Sequence, residues 1–326
     1  MSISLKILRF TLYAVFTLLL LLAAIVLYIQ IFIEDVSVSQ AAPSTTEFVT
    51  TPDETIAYRK WAGTSSRTVV FVGGLSAWAD TWEKTVLAQQ KRGSTDTFVA
   101  IDLPPFGYST PQDKSLYYRD VQAKRIAAVI REVSSGEVIL VGHSYGGGPV
   151  AELMLTDPTL VDGVVLISPV LNLGATKKSP PPPVLTIDWL REGVLTIALR
   201  IEPLLLNRLK SFVFITDNIS YETLRLYTQP TNVEGTSQRL SDWIFDYATD
   251  PVDTYVSSQP DAYMQTQIPL HLIWGEEDTL TPISDATPLL TNKSIILKPL
   301  VGVGHIPMLE NVDYFNDVLA ESLKQL

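Results

Sequence analysis

The chain has 326 residues, 46% of them hydrophobic, with 24 basic against 35 acidic side chains, 17 glycines, 21 prolines and no cysteine. That composition is globular, and the lack of cysteine excludes disulfides, thiolate metal sites and a cysteine nucleophile. A net charge of −11 argues against a nucleic-acid partner, since such affinity comes mainly from Lys and Arg neutralising phosphates.

From Phe10 to Ile33 no side chain is charged, and the middle of the run reads LLLLLAAIV from Leu18 to Val26. A helix rises about 1.5 Å per residue, so twenty-odd apolar residues cross a hydrocarbon layer roughly 30 Å thick. Residues 10–33 are therefore read as a transmembrane helix. Lys6 and Arg9 flank it on one side, Glu34 and Asp35 on the other. The positive-inside tendency then keeps residues 1–9 cytoplasmic and makes the rest of this single-pass protein extracytoplasmic. A cleaved secretory signal is the rival reading, with small residues at Ser39 and Ala41. The apolar run is longer than the about 7–15 residues of a signal core, which favours an uncleaved anchor. Lys6 and Arg9 are the only charges among the first 33 residues, so the remainder carries −13.

Residues 34–46 read as a short linker, and residues 47–326 as the functional domain. Glu47 to Thr51 and Thr55 to Trp61 flank Pro52-Asp53-Glu54, which predicts a hairpin with a proline-initiated turn. Short apolar runs follow at 68–72, 98–101, 138–141, 164–167, 270–274 and 294–297. They are rich in β-branched residues and lack in-out alternation, as strands buried on both faces do. Between two of them, Leu116 to Val133 carries Tyr117, Val121, Ile126, Ile130 and Val133 at helical spacing. The alternation predicts an α/β fold with a mainly parallel sheet covered by helices on both faces.

That pattern is interrupted at about 171–267, opened by Ser179-Pro180-Pro181-Pro182-Pro183, an extended spacer because proline continues neither helix nor central strand. Leu185 to Leu209 and Tyr221 to Tyr247 beyond it read as helices carrying Trp189, Phe212, Phe214, Tyr221, Tyr227, Trp243 and Phe245. Two readings stand for this insertion: a helical subdomain whose aromatics are its own core, or a lid lined by some of them.

Gly142-His143-Ser144-Tyr145-Gly146 places G-x-S-x-G directly after a buried strand run and before an apolar helix. The pattern sets a serine on a tight strand-to-helix turn, with glycines where neighbouring backbone comes close. Ser144 is the candidate nucleophile. A serine hydroxyl needs a base within reach, itself oriented by a carboxylate. Of the three histidines, His143 is expected to pack away from the turn and His271 to be buried within a strand. His305, in a glycine-rich loop after the last strand, is the candidate base. Among Glu276, Glu277 and Asp278, the aspartate lies deepest in its turn and is the candidate orienting acid. The chain order Ser144, Asp278, His305 is that of α/β-hydrolases.

With these residues the sequence resembles the α/β-hydrolase superfamily, in its branch of cap-bearing esterases, lipases and related hydrolases, over about residues 47–326. Asp102-Leu103-Pro104-Pro105-Phe106-Gly107-Tyr108-Ser109 is similar to the family's D-x-P-G-x-G-x-S loop, with Pro105 in place of the first glycine. His305-Ile306-Pro307 with Glu310 is similar to its H-x-P-x-x-E ending, and Val72-Gly73-Gly74-Leu75 stands where H-G and an apolar residue are common. The resemblance implies a cap after the sixth strand, and an oxyanion hole made by the backbone N–H groups of Leu75 and Tyr145. Gly73 in place of the usual histidine implies altered loop rigidity. The implied activity is cleavage of a small-molecule or lipid ester through an acyl-enzyme. Perhydrolase, amidase or carbon–carbon hydrolase chemistry is the alternative on the same triad, and a non-catalytic binding protein the alternative from another class. No metal cluster or dinucleotide fingerprint is present, and Gly146-Gly147-Gly148 lacks a P-loop lysine, so no cofactor is expected.

Overall fold

Thirty residues without glycine or proline form α1 (Ile3–Phe32), in a computed structural model that describes residues 3–52, 54–111, 116–174 and 180–326. The helix begins before the apolar run and takes in Lys6 and Arg9; by length and composition it is able to cross a membrane. Its described side chains are almost all exposed. The exceptions, Leu22, Val26, Ile29 and Gln30, are spaced to form one stripe.

Residues 34–46 are not a free linker. Val36 bridges to Val233, and a short helix α2 (Val38–Ala41) follows. The buried Glu34 carboxylate accepts from Arg200 Nη2 at 2.8 Å, from the backbone N of Ser237 at 3.1 Å and from the Ser237 hydroxyl. A buried charge requires partners of this kind, and Glu34 draws the chain against the inserted helices to obtain them.

The hairpin forms as β1 (Thr46–Thr50) and β2 (Glu54–Trp61), antiparallel; Asp53 of its expected turn lies outside the described residues. Then come β3 (Thr68–Val72), α3 (Glu83–Lys91), β4 (Thr97–Ile101) and β5 (Thr110–Pro111). They are followed by α4 (Arg119–Val133), β6 (Val138–His143), α5 (Gly147–Thr156) and β7 (Gly163–Ile167). After the insertion come β8 (Leu270–Gly275), β9 (Ile295–Leu300), α10 (Pro307–Glu310) and α11 (Val312–Gln325). The sheet order is β1-β2-β4-β3-β6-β7-β8-β9, with β5 on the edge of β2, and every pairing from β4 onward is parallel.

Every residue of β3, β6, β7 and β8 is buried, which explains their unbroken apolar runs. Val70 and Val72 point into one core layer with Ile126 and Ile130 of α4 and Leu153 of α5. Val69 and Phe71 point the other way, toward Val86 of α3 and Phe315 and Leu319 of α11. Phe71 stacks on Trp82 and Phe98 at 4.7 and 6.0 Å between ring centres; burying one such side chain contributes about 1.5–3 kcal/mol.

The insertion breaks into more helices than its pattern suggests. Leu185 to Leu209 is two helices, α6 (Asp188–Ala198) and α7 (Glu202–Lys210), because Pro203 fits only the first turn of a new helix. Tyr221 to Tyr247 is α8 (Tyr221–Thr228) and α9 (Thr236–Thr249), separated by Pro230 and by Gly235 at φ +72°. Ser179 of the proline tract lies outside the described residues. Of the insertion's aromatics, Trp243 is buried against Phe106 and Tyr145, Tyr227 lines a cleft, and Trp189 and Phe214 are exposed.

Candidate active site

Parallel strands deliver their C-terminal ends to one edge of the sheet, and β6, β8 and β9 each send a loop there. β6 ends at His143, and Ser144 follows with φ +51° in a single 3-10 turn leading into α5. A non-glycine residue in that region stores about 1–3 kcal/mol of strain. The flanking glycines have no room for a side chain: a Cβ on Gly146 would lie 2.4 Å from the Gly73 carbonyl oxygen, and one on Gly142 would lie 3.0 Å from Gly147 and Val150.

Ser144 Oγ stands 2.8 Å from His305 Nε2, and His305 Nδ1 stands 2.8 Å from Asp278 Oδ2. All three side chains are buried. With Nδ1 donating to the carboxylate, Nε2 is left to accept the serine proton. Asp278 Oδ1 accepts the N–H groups of Leu280 and Thr281, each at 2.9 Å, and Oδ2 also accepts the Thr281 hydroxyl at 2.8 Å. Burial pushes the Asp278 carboxyl up, but the bonds and charge of His305 and the Thr281 donors outweigh it and hold the group below its ordinary value. Glu276 and Glu277 are exposed.

His305 is held on every side. Its N–H donates to the Phe212 carbonyl at 3.1 Å and its carbonyl accepts from His143 Nε2 at 3.0 Å. On either side of it, the N–H groups of Gly304 and Ile306 donate to the buried Glu310 carboxylate, which also accepts from Phe214 and Ile215 of the insertion. One carboxylate thus ties the His305 loop to the inserted segment. His143 packs as expected for a turn residue yet touches the site, and burial, with His305 beside it, lowers its pKa to about 3. Thr281 and Glu310 carry no role in the sequence reading; Glu310 was visible only as the last position of the H-x-P-x-x-E pattern.

Because His143 titrates near 6.5 when unfolded and near 3 when folded, the unfolded chain binds the extra proton between those values, and stability falls as pH drops through that window. At pH 5 the loss amounts to about 2 kcal/mol. Thermal unfolding of the full chain in detergent is expected to show a steeper fall in midpoint from pH 7 to pH 5 in wild type than in His143→Asn.

Leu75 and Tyr145 line the same cleft as Ser144. Among the described residues the Leu75 N–H has no acceptor, and Tyr145 sits in the opening turn after β6, where helix N–H groups lack intrahelical partners. Gly73 is a packing requirement, since a Cβ there would lie 2.5 Å from that of Ala77. A Cβ on Gly74 would meet Ser144 Cβ at 2.9 Å and His143 Nδ1 at 3.1 Å. Gly74→Ala is therefore expected to displace the serine and cut kcat/KM about 100-fold, with circular dichroism unchanged.

Two clefts meet at Ser144, the first largely apolar and the second of mixed polarity. One, about 1150 Å³ including its open mouth, is lined by Phe106, Leu199, Leu224, Tyr227 and Leu240 among others. The second, about 1430 Å³, is lined by Tyr145, Asn172, Trp243, Tyr247 and Leu280 among others. Arg208, stacked 4.5 Å over Phe212, borders both. Among the described residues no group of three or more His, Asp or Glu side chains is arranged to hold a metal ion.

A family model described as the alpha/beta hydrolase family matches residues 69–318. The uncharacterized hydrolase YugF of Bacillus subtilis is 24% identical over 279 residues, 82% of this chain and 93% of that protein. The fold is similar to that of the meta-cleavage product hydrolase CumD from Pseudomonas fluorescens IP01, with a TM-score of 0.69 and 18% identity over 86% of this chain and 97% of that one. It is also similar to a bacterial membrane phospholipase A, with a TM-score of 0.65 and 20% identity over 98% of this chain and 97% of that one.

Proposed function

Since the chain belongs to the α/β hydrolase family, we propose that it is a membrane-anchored serine hydrolase that cleaves a carboxylic ester through an acyl-enzyme. The observation that carries this reading is the unbroken contact from Ser144 Oγ through His305 to Asp278, 2.8 Å at each step, at the foot of a largely apolar cleft.

Ser144 Oγ attacks the ester carbonyl as His305 Nε2 takes its proton, and Asp278 stabilises the imidazolium while fixing which nitrogen faces the serine. The carbonyl oxygen becomes an oxyanion, held by the N–H groups of Leu75 and Tyr145. Collapse of this intermediate breaks the bond to the alcohol oxygen, which receives the proton from His305. Water then attacks the acyl-serine with His305 again as base, releasing the acid and restoring the serine hydroxyl. Residues 47–326 form the catalytic domain, with the cap inserted at about 171–267, and α1 is the anchor, with its N-terminus cytoplasmic.

The largely apolar first cleft favours an ester with an apolar acyl group, and a lipid ester accords with the likeness to a membrane phospholipase A. The test is a substrate panel on the full chain in bilayers: a soluble short-chain aryl ester, a phospholipid in the same vesicles, the amide matching the aryl ester, and a vinylogous diketone for carbon–carbon cleavage. Hydrolysis of the esters far above the amide and the diketone is expected. Preference for the amide or the diketone would overturn the ester reading.

A further inference from the structure

The anchor helix is packed against the cap well inside its apolar run. A Cβ on Gly193 of α6 would lie 3.3 Å from Val26 and 4.0 Å from Leu22, and Gln30 Nε2 donates to Glu192 at 2.5 Å. Farther along, Arg200 just after α6 pairs with Glu34 just after α1. Gly193 and Glu192 of α6 thus meet α1 between Leu22 and Gln30, and the two helices lie against each other over that stretch.

Depth follows from the helical rise. Val26 precedes the end of the apolar run at Ile33 by seven residues, or about 10 Å along the axis. The run of 24 residues from Phe10 to Ile33 is about 36 Å long and exceeds the hydrocarbon layer of about 30 Å by only about 6 Å. If α1 spans with its run centred, Val26 lies about 7 Å below the hydrocarbon edge. A helix packed on Val26 shares that depth. It matches the roughly 5–10 Å at which amphipathic helices lie in the headgroup and acyl boundary.

The exposed apolar side chains at the start of α6, which flank the Gly193 contact with α1, suit that environment. Ile187, Trp189 and Val194 are 40%, 60% and 54% exposed, a combination of aliphatic groups with a tryptophan of the kind enriched at membrane interfaces. Other α6 side chains are turned inward: Arg191 bonds Ser241 of α9, and Leu195 packs with Phe106 and Trp243. Asp188 is the exposed charge of this end and pairs with Arg191 at 3.1 Å, which keeps the end at the boundary and out of the acyl centre.

We propose that the N-terminal end of α6, from Ile187 to Val194, inserts into the lipid boundary beside α1, so that the cap is held at the bilayer by two elements. This rests on the reading of α1 as a membrane span. Its consequence for the proposed site is direct, since Leu199, just after α6, lines the first cleft: one wall of the cleft is continuous with a lipid-embedded helix.

The chain has no cysteine, so single cysteines can be labelled without altering any other position. Trp189→Cys, Val194→Cys, Leu19→Cys in α1 and Ile296→Cys in β9 are each coupled to a polarity-sensitive fluorophore in full-chain proteoliposomes. Each is then compared with and without nitroxide-labelled acyl chains, after checking that hydrolysis of the soluble aryl ester is retained. Quenching at positions 189 and 194 as strong as at position 19, with none at position 296, is the expected result. Quenching at 19 but not at 189 and 194 would overturn the inference and leave the anchor intact. No quenching at 19 would overturn the anchor and this inference together, while ester hydrolysis would still report separately on the catalytic reading.

Discussion

Ser144→Ala is expected to lower kcat for ester hydrolysis by about 10⁴–10⁶-fold and to leave the fold intact. The attacking oxygen disappears, and His305 and Asp278 then have nothing to activate, which is why loss of this one atom costs as much as loss of the whole chain of groups. The fold survives because, among the described residues, the Ser144 hydroxyl bonds only His305 Nε2, and because serine and alanine bear the same strain at φ +51°. The measurement is steady-state turnover of the short-chain aryl ester by the full chain in detergent, with thermal unfolding as the control. Activity within tenfold of wild type would remove Ser144 as nucleophile.

Asp278→Asn is the second large effect, expected at about 10³–10⁴-fold in kcat. Asp278 meets four donors: two backbone N–H groups, the Thr281 hydroxyl and His305 Nδ1. An asparagine must turn its amide nitrogen toward some of them. If it faces His305, the imidazole accepts at Nδ1 and carries its proton on Nε2, where it can no longer take one from Ser144. Loss of charge also removes the stabilisation of the imidazolium formed during attack. Glu276→Gln and Glu277→Gln are the controls. Both glutamates are exposed, and the hydrogen bonds they make at this turn come from their backbone nitrogens, so their kcat should stay within about twofold. A loss at Glu276 or Glu277 comparable with that at Asp278 would reassign the acid.

The parallel sheet was readable because its strands are buried on both faces. Val69 to Val72 cannot alternate when each side of the sheet meets a helix layer, and the apolar run at 68–72 coincides with β3. The two-residue strand β5 left no such mark, since an edge pair ending in Pro111 has neither length nor pattern. The candidate residues Ser144 and His305 were legible because glycines mark both places, Gly142 and Gly146 where strand and helix meet and Gly302 and Gly304 in the loop after β9. Thr281 was not: its hydroxyl matters only because the loop after β8 folds back to place it 3.1 Å from His305 Nδ1, and a single threonine in a polar loop announces nothing. His143 was read as pointing away from the site, yet a fixed imidazole one residue before the serine was within reach of whatever crosses the sheet edge, here the His305 carbonyl. The segment at 34–46 misled for a related reason. Its small polar composition is that of a linker, and its attachment depends on Glu34 meeting Arg200 and Ser237, partners more than 160 residues away.

The central claim, that Ser144 is acylated with His305 and Asp278 behind it, is tested most directly by intact-mass analysis and peptide mapping of the full chain after exposure to a fluorophosphonate. One adduct is predicted, on the peptide carrying Ser144, absent from Ser144→Ala and formed far more slowly in Asp278→Asn. Ester turnover with no adduct on Ser144, or an adduct that persists in Ser144→Ala, would contradict it.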